Sequence, residues 1–431
     1  IGKFYDVFFR PDLVKLKLKG IDINSYTNGL TANDALQNPP PEVVINNESE
    51  LKRTDKKNIK VSFTVNNIGG GIGTIRVYQE GKLIKTIGDS KINKVIANVD
   101  TKIEEQEKEK KLSEYQQLAL SKAINGKNLK IDEQITNSFD KELIVNNPGD
   151  YEIDVPLKNG LNQISIEAFN KTNTITSFRS IVNINANIPE KKPKLYAIVA
   201  GVNNFESNYG NSLQDLKYAV NDAKSISDIA SKSREKIFDD IEIISLIDNQ
   251  VTKDNIESAF ETISKKASLE DTILFYISTH GISANSKFYL LPSNNAQLTN
   301  LIEFNDIFKK SSELKSLNQI FIIDACQSGS ANDIASAVYD SRASVLARSS
   351  GIHLLSASTS GTYAFENNEY KHSNFTYHIL DSMKNKETDK NKDGFISVIE
   401  LSDKLRNLDS NEKQFPVIQN IGNDINLNKA Y

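Results

Sequence analysis

Five apolar runs restrict the fold of this chain more than any other feature: LYAIVAGV (195–202), EIISLID (242–248), TILFYISTHG (272–281), IFIIDACQSG (320–329) and GIHLLSAS (351–358). Each is continuous rather than alternating and gives way to polar residues or glycine, as strands buried on both faces do. Between them lie stretches of helical spacing, LQDLKYAVNDAKSISDIA (213–230), with Leu213, Leu216, Val220, Ile226 and Ile229 as its apolar positions, and NIESAFETISKKA (255–267). This alternation predicts a three-layer α/β sandwich with a mostly parallel sheet over residues 191–410. Ligands of such sheets sit beyond the carboxyl ends of the strands, so a site is expected there.

The preceding region follows a different rule. NPPPEVV (38–44) is a rigid polyproline-like join, because consecutive prolines fix φ and exclude helix. After it come NIKVSFTVNN (58–67), the cluster GGGIG (69–73), TIRVYQEGKLIKTI (74–87) with a hairpin around Glu80 and Gly81, GLNQISIEAFN (160–170) and TSFRSIVNINA (176–186). Apolar and polar residues alternate in them, which predicts an antiparallel, Ig-like β-sandwich over 39–190. KIEEQEKEKKLSEYQQLALSKAI (102–124) is charged and free of Gly and Pro, and predicts an inserted helix at about 101–125, read either as a lid or docking arm or as a solvated helix. IPEKKPK (188–194) is the linker to the α/β domain. Residues 1–38, which begin at Ile1 and contain the sticky segment FYDVFFRPDLVKLKLKG (4–20), are expected to pack on an upstream domain or to be left over from one; 411–431 are expected as a C-terminal tail.

Composition narrows the chemistry. One cysteine among 431 residues excludes an internal disulfide framework and a multi-thiolate zinc site, and four histidines leave little room for a histidine-rich metal cluster. A net charge of −4 argues against sequence-independent nucleic-acid binding, which needs a positive field. No apolar run approaches the roughly 18 to 20 residues that span a bilayer, and no signal core follows a basic N-terminus, so a cytoplasmic setting without membrane association is expected.

Two strand ends carry reactive side chains, His280 in STHG and Cys326 in DACQSG. A thiol nucleophile needs a base to hold it as thiolate, and an imidazole on a neighbouring strand end supplies one that later protonates the leaving amine. Gly281 and Gly329 let substrate backbone approach. The implied class is acyl transfer through a thioester. His353 lies inside an apolar strand, and His372 and His378 flank the helical pattern FTYHILDSM (375–383); all three read as structural.

IFIIDACQSG resembles the nucleophile strand of caspase-like cysteine peptidases, whose pattern is Q-A-C-x-G with a histidine about 50 residues upstream; here the spacing is 326 − 280 = 46. TILFYISTHG resembles the metacaspase strand ending in S-G-H-G, and KLYAIVAGVNNF (194–205), LKYAVNDA (216–223) and HSNFTYHIL (372–380) are similar to further landmarks in the same order. The likeness covers about 193–410; more weakly, the region before it resembles that of bacterial multidomain caspase-like proteins. The resemblance implies Cys326 as nucleophile, His280 as general base, and the backbone N–H groups of Gly281 and Cys326 as oxyanion hole. Thr279 stands where metacaspases carry glycine, and Asp324 where true caspases carry glutamine.

Asp324 shares a strand face with Cys326 two residues on, and by resemblance Asp222 is a second acidic residue of the specificity pocket; Ser278 is counted with them as substrate-binding. Two carboxylates beside the nucleophile favour Arg or Lys before the scissile bond; the bland reading is that Asp222 caps or solvates a helix and Asp324 merely orients the loop. In DSRASVLARSSG (340–351), Arg342 and Arg348 are then autoprocessing candidates or ordinary solvated arginines. DKNKDGFISVIE (389–400) fits D-x-[DN]-x-[DN]-G-x5-E, which makes Asp389, Asn391, Asp393, the Phe395 carbonyl and Glu400 candidate calcium ligands; a metal-free helix-turn-helix held by Asn and Asp turn chemistry stays open beside it. The expected protein is a cysteine endopeptidase acting on protein substrates, with no cofactor needed for chemistry, and regulation as a zymogen by a partner or upstream domain is a further expectation. The alternative is an inactive caspase-fold scaffold or partner-binding protein.

Overall fold

The computed structural model describes residues 37–88, 146–173, 175–208, 213–233, 237–284, 287–327, 347–357, 366–406 and 416–430. They form two compact units divided between Lys191 and Lys192. The expected helix at about 101–125 and nearly all of segment 1–38 lie outside the described residues.

The first unit contains strands β1 (Glu42–Ile45), β2 (Arg53–Thr54), β3 (Asn58–Asn66), β4 (Ile75–Gln79), β5 (Lys82–Ile87), β6 (Gly149–Pro156), β7 (Gly160–Ala168) and β8 (Ser180–Ala186). They make two sheets, ordered β1-β3-β6 and β2-β8-β7-β4-β5, antiparallel except for the short β2–β8 pair. Alternation places every second side chain inward, so Ile59, Val61, Phe63 and Val65 of β3 share one core with Val77, Ile164, Ile166, Val182 and Ile184 of the other sheet. Glu80 and Gly81, both at positive φ, turn β4 into β5, as a two-residue hairpin with the strands' right-handed twist requires.

In the second unit the apolar runs become β9 (Leu195–Gly201), β10 (Ile241–Ile247), β11 (Thr272–Ala284), β14 (Asn318–Gln327) and β15 (His353–Ser356), with β12 (Lys287–Leu290) and β13 (Ile302–Glu303) in between. The order β10-β9-β11-β14-β15 is parallel throughout, and β12 and β13 extend β11 antiparallel. Helices cover both faces. One core layer joins α2 (Lys253–Lys266) and α3 (Phe304–Glu313) to Ile198, Phe275, Ile277 and Phe321; the other joins α1 (Ala219–Ser231), α4 (Asn374–Ser382) and α5 (Val398–Arg406) to Ala197, Val199, Leu274 and Ile322. Because successive strand residues alternate between these layers, no strand has a polar face, which is why the runs are continuous in sequence. Residues 416–430 of the expected C-terminal tail carry two strands. Val417–Gln419 (β19) adds an antiparallel edge to β15, and Asn426–Lys429 (β20) pairs with Phe395–Ser397 (β18), because Val417, Ile418 and Ile425 bury apolar surface against the sheet and helices.

Candidate active site

Adjacent parallel strands bring the two reactive residues to one rim. β11 and β14 pair with Ser278 opposite Asp324, His280 opposite Cys326 and Gly281 opposite Gln327, which separates the paired backbones by about 4.8 Å. His280 is 9% exposed, with the Phe205 ring 5.1 Å from its own. Its Nε2 lies 2.8 Å from the Gln214 carbonyl, while Nδ1 is buried and has no hydrogen-bond partner among the described residues. A carbonyl only accepts, so Nε2 carries the proton and the neutral ring presents its lone pair at Nδ1. Burial lowers the His280 pKa, opposed by the Gln214 carbonyl and Asp215. Around it, the Thr279 hydroxyl donates to the Leu291 carbonyl at 2.6 Å and the Leu291 N–H donates to the His280 carbonyl at 2.9 Å. Thr279 therefore braces the strand end where glycine would leave it free.

The two acidic candidates meet on Ser373. Asp324, 3% exposed, accepts from the Ser373 hydroxyl and from Thr376 Oγ1 at 2.6 Å, and Thr376 Oγ1 is 2.7 Å from the Tyr276 hydroxyl. Asp222 accepts the Ser373 N–H at 3.1 and 3.3 Å on its two oxygens, and its Oδ1 lies 2.6 Å from His372 Nδ1. Burial raises both carboxyls; with repulsion from Asp222 added, Asp324 rises to about 7. Ser373 and His372 form β17 (His372–Ser373), which pairs with β16 (Glu366–Asn367) in a short hairpin, and Ser373 also caps α4 by accepting from the Thr376 N–H. The hairpin is fastened to α1. Glu366 Oε1 accepts the N–H groups of Lys217 and Tyr218 at 2.7 and 2.6 Å, Tyr218 donates to Asn368 Oδ1, and Asn221 donates to the Lys371 carbonyl. Asp222 is thus neither a solvated helix residue nor a helix cap.

Sequence reasoning reached His280, Cys326, Asp222, Asp324 and Ser278, which are gathered on neighbouring elements. It passed over Gln214, Phe205, Ser373, Thr376 and Glu366, and read His372 as structural. Only Ser373 carried a local signal, since Ser before N-F-T is a helix N-cap pattern. His353 is a packed core residue, buried and bonded through Nε2 to the Asn423 carbonyl at 2.8 Å.

Arg342 is outside the described residues, and Arg348 is half-buried in a helical turn at 347–350. In the 389–400 loop the Glu400 carboxylate accepts the N–H groups of Lys390, Asn391 and Ser397, Asp389 accepts from Gly394, and Asp393 accepts from Phe395 and from the Asn391 amide. The strand after the loop, β18, pairs with β20. Among the described residues no group of three or more His, Cys, Asp or Glu side chains is assembled to hold a metal.

The family described as Caspase domain matches residues 194–423. Among solved structures, a Geobacter sulfurreducens protein is similar at 13% identity over 56% of this chain and 95% of its own, with a TM-score of 0.38. Fibronectin(III)-like modules of CbhA from Clostridium thermocellum are similar at 12% identity over 35% of this chain and 47% of theirs, with a TM-score of 0.18. Superpositions this loose define no fold. No curated protein matches.

Proposed function

Since the chain belongs to the caspase-domain family through residues 194–423, we propose that it is a cysteine endopeptidase in which Cys326 is the nucleophile, His280 the base, and Arg or Lys the residue before the scissile bond. The observation that carries the proposal is the state of His280: Nε2 is committed to a main-chain carbonyl, so Nδ1, without a partner among the described residues, is the acceptor, at the register position opposite the chain's one cysteine. Nδ1 takes the thiol proton, and the thiolate adds to the substrate carbonyl. The N–H groups of Gly281 and Cys326 are the proposed donors to the oxyanion. Collapse of the tetrahedral adduct breaks the C–N bond as the imidazolium protonates the departing amine, leaving a thioester; water, deprotonated by the imidazole, releases the acid and restores the thiol. This reaction requires no cofactor.

Basic specificity is supported by Asp222 and Asp324, whose contacts among the described residues converge on Ser373, and by Asp324 standing two positions before Cys326 on β14. Cleavage after Arg also makes Arg342 and Arg348 candidate self-cleavage points, Arg348 only once its helical turn opens. Fluorogenic peptides ending in Arg, Lys or Asp test the reading: turnover of the first two that is abolished by Cys326→Ala and by iodoacetamide is expected. Preference for Asp overturns the specificity, and iodoacetamide labelling of Cys326 without turnover of any peptide makes the chain a scaffold.

A further inference from the structure

The carboxylate pair is closed off in an uneven way. Asp222 is 1% exposed, and the Ser373 N–H reaches both of its oxygens from the hairpin. His372, whose Nδ1 donates to Oδ1 of the same carboxylate, is 16% exposed and is the most open group of the cluster. Of the two residues bonded to Asp222, it is the one that reaches further into solvent, Ser373 being 5% exposed. A carboxylate so enclosed is unavailable to an incoming cation while the imidazole is seated on it.

We infer that His372 is a specificity-determining residue of this pocket, a resident donor that the substrate's basic side chain has to displace from Asp222; the inference rests on the basic-specificity reading above. The backbone around it favours movement of the ring over movement of the hairpin. Glu366 holds two N–H groups at the start of α1 and Asn221 holds the Lys371 carbonyl, so the hairpin stays fastened while the His372 side chain turns out. A guanidinium or ammonium group then takes over the bond that the imidazole made, and its positive charge favours the ionised form of Asp324 on the other side of Ser373. Side chains without a donor cannot make this exchange and leave the imidazole in place. The displacement is common to Arg and Lys, because both remove the same donor.

The test is steady-state kinetics of the full chain on peptides ending in Arg, Lys or Leu, with His372→Ala against the parent protein. Removing the competitor is expected to lower KM for the Arg and Lys peptides by a shared factor of roughly three to ten, to move kcat less than KM, and to raise the ratio of basic to neutral kcat/KM. His372→Gln, which keeps a neutral donor, is expected between the two. A raised KM for basic peptides in His372→Ala shows that the ring only positions Asp222 and overturns the inference, as does an equal change for all three peptides. Benzamidine binding, followed by calorimetry in a Cys326→Ala background, provides a readout independent of turnover: it tightens on His372→Ala if the inference holds and weakens or stays the same if it fails. Indifference of the parent protein to basic side chains overturns the pocket reading and this inference together, whereas basic preference with an unimproved KM in His372→Ala overturns this inference alone.

Discussion

At the scale of single residues, the informative group is Asp324. Its carboxyl is raised to about 7 by burial and by Asp222, while in an unfolded chain it titrates near about 3.9. A raised carboxyl favours the protonated folded form, so the folded state loses stability as pH rises from the unfolded value through about 7. Asp324→Asn keeps an acceptor for Ser373 and Thr376 and removes that cost; its melting temperature at pH 8 is expected to equal or exceed that of the parent, while selectivity for Arg and Lys collapses. A fall in melting temperature with selectivity intact would show instead that Asp324 is structural. Cys326 and His280 were legible in the sequence because each breaks the apolar pattern of its own strand. Gln214 was not, because it acts through a main-chain carbonyl that every residue possesses, and His372 was not, because nothing local distinguishes a packed histidine from one seated on a carboxylate.

At the scale of elements, the helical spacing of 213–230 begins earlier than the helix does. α1 starts at Ala219, and the preceding residues are drawn elsewhere: Leu213 packs with Ile282 and Leu291, the Leu216 N–H goes to the Asn203 carbonyl, and those of Lys217 and Tyr218 go to Glu366. Local periodicity favoured continuing the helix, and tertiary partners outcompeted it. The close approach of β9 to α1 depends on Gly201, where a Cβ would lie 2.4 Å from the Ala219 carbonyl oxygen and 2.9 Å from the Ala223 Cβ. Neither neighbour is a flexible side-chain end, so Gly201→Ala must shift the first turn of α1. A loss of ~1–3 kcal/mol is expected from such overpacking, together with weaker selection of Arg peptides because Asp222 lies in that turn. Denaturant unfolding and peptide kinetics check the two effects; an unchanged unfolding midpoint would contradict the close-packing account.

At the scale of the whole molecule, buried titratable groups act on stability in opposite directions. His280 and His353 are held neutral by burial, their pKa values lowered. A lowered histidine contributes stability that is present above its unfolded value, near about 6.5, and is lost as pH falls through the folded value. Asp324 acts in the other sense, adding stability as pH falls from about 7. The melting temperature is therefore expected to fall more steeply between pH 7 and pH 5 in Asp324→Asn than in the parent, which thermal scans across that range will show; parallel slopes would mean that the carboxyl does not titrate there.

Sequence alone determined the strand–helix rhythm, the layer order it implies, and the placing of a cysteine and a histidine at strand ends, because each follows from spacing within a few residues along the chain. Only the tertiary structure decided which groups meet: His280 with a carbonyl 66 residues away, Asp324 with a hydroxyl 49 away, and Asp222 with an imidazole 150 away. Partners so distant are chosen by how helices and hairpin pack around the strand ends and by the cost of burying a carboxylate without donors, and neither is written in any local stretch of the chain.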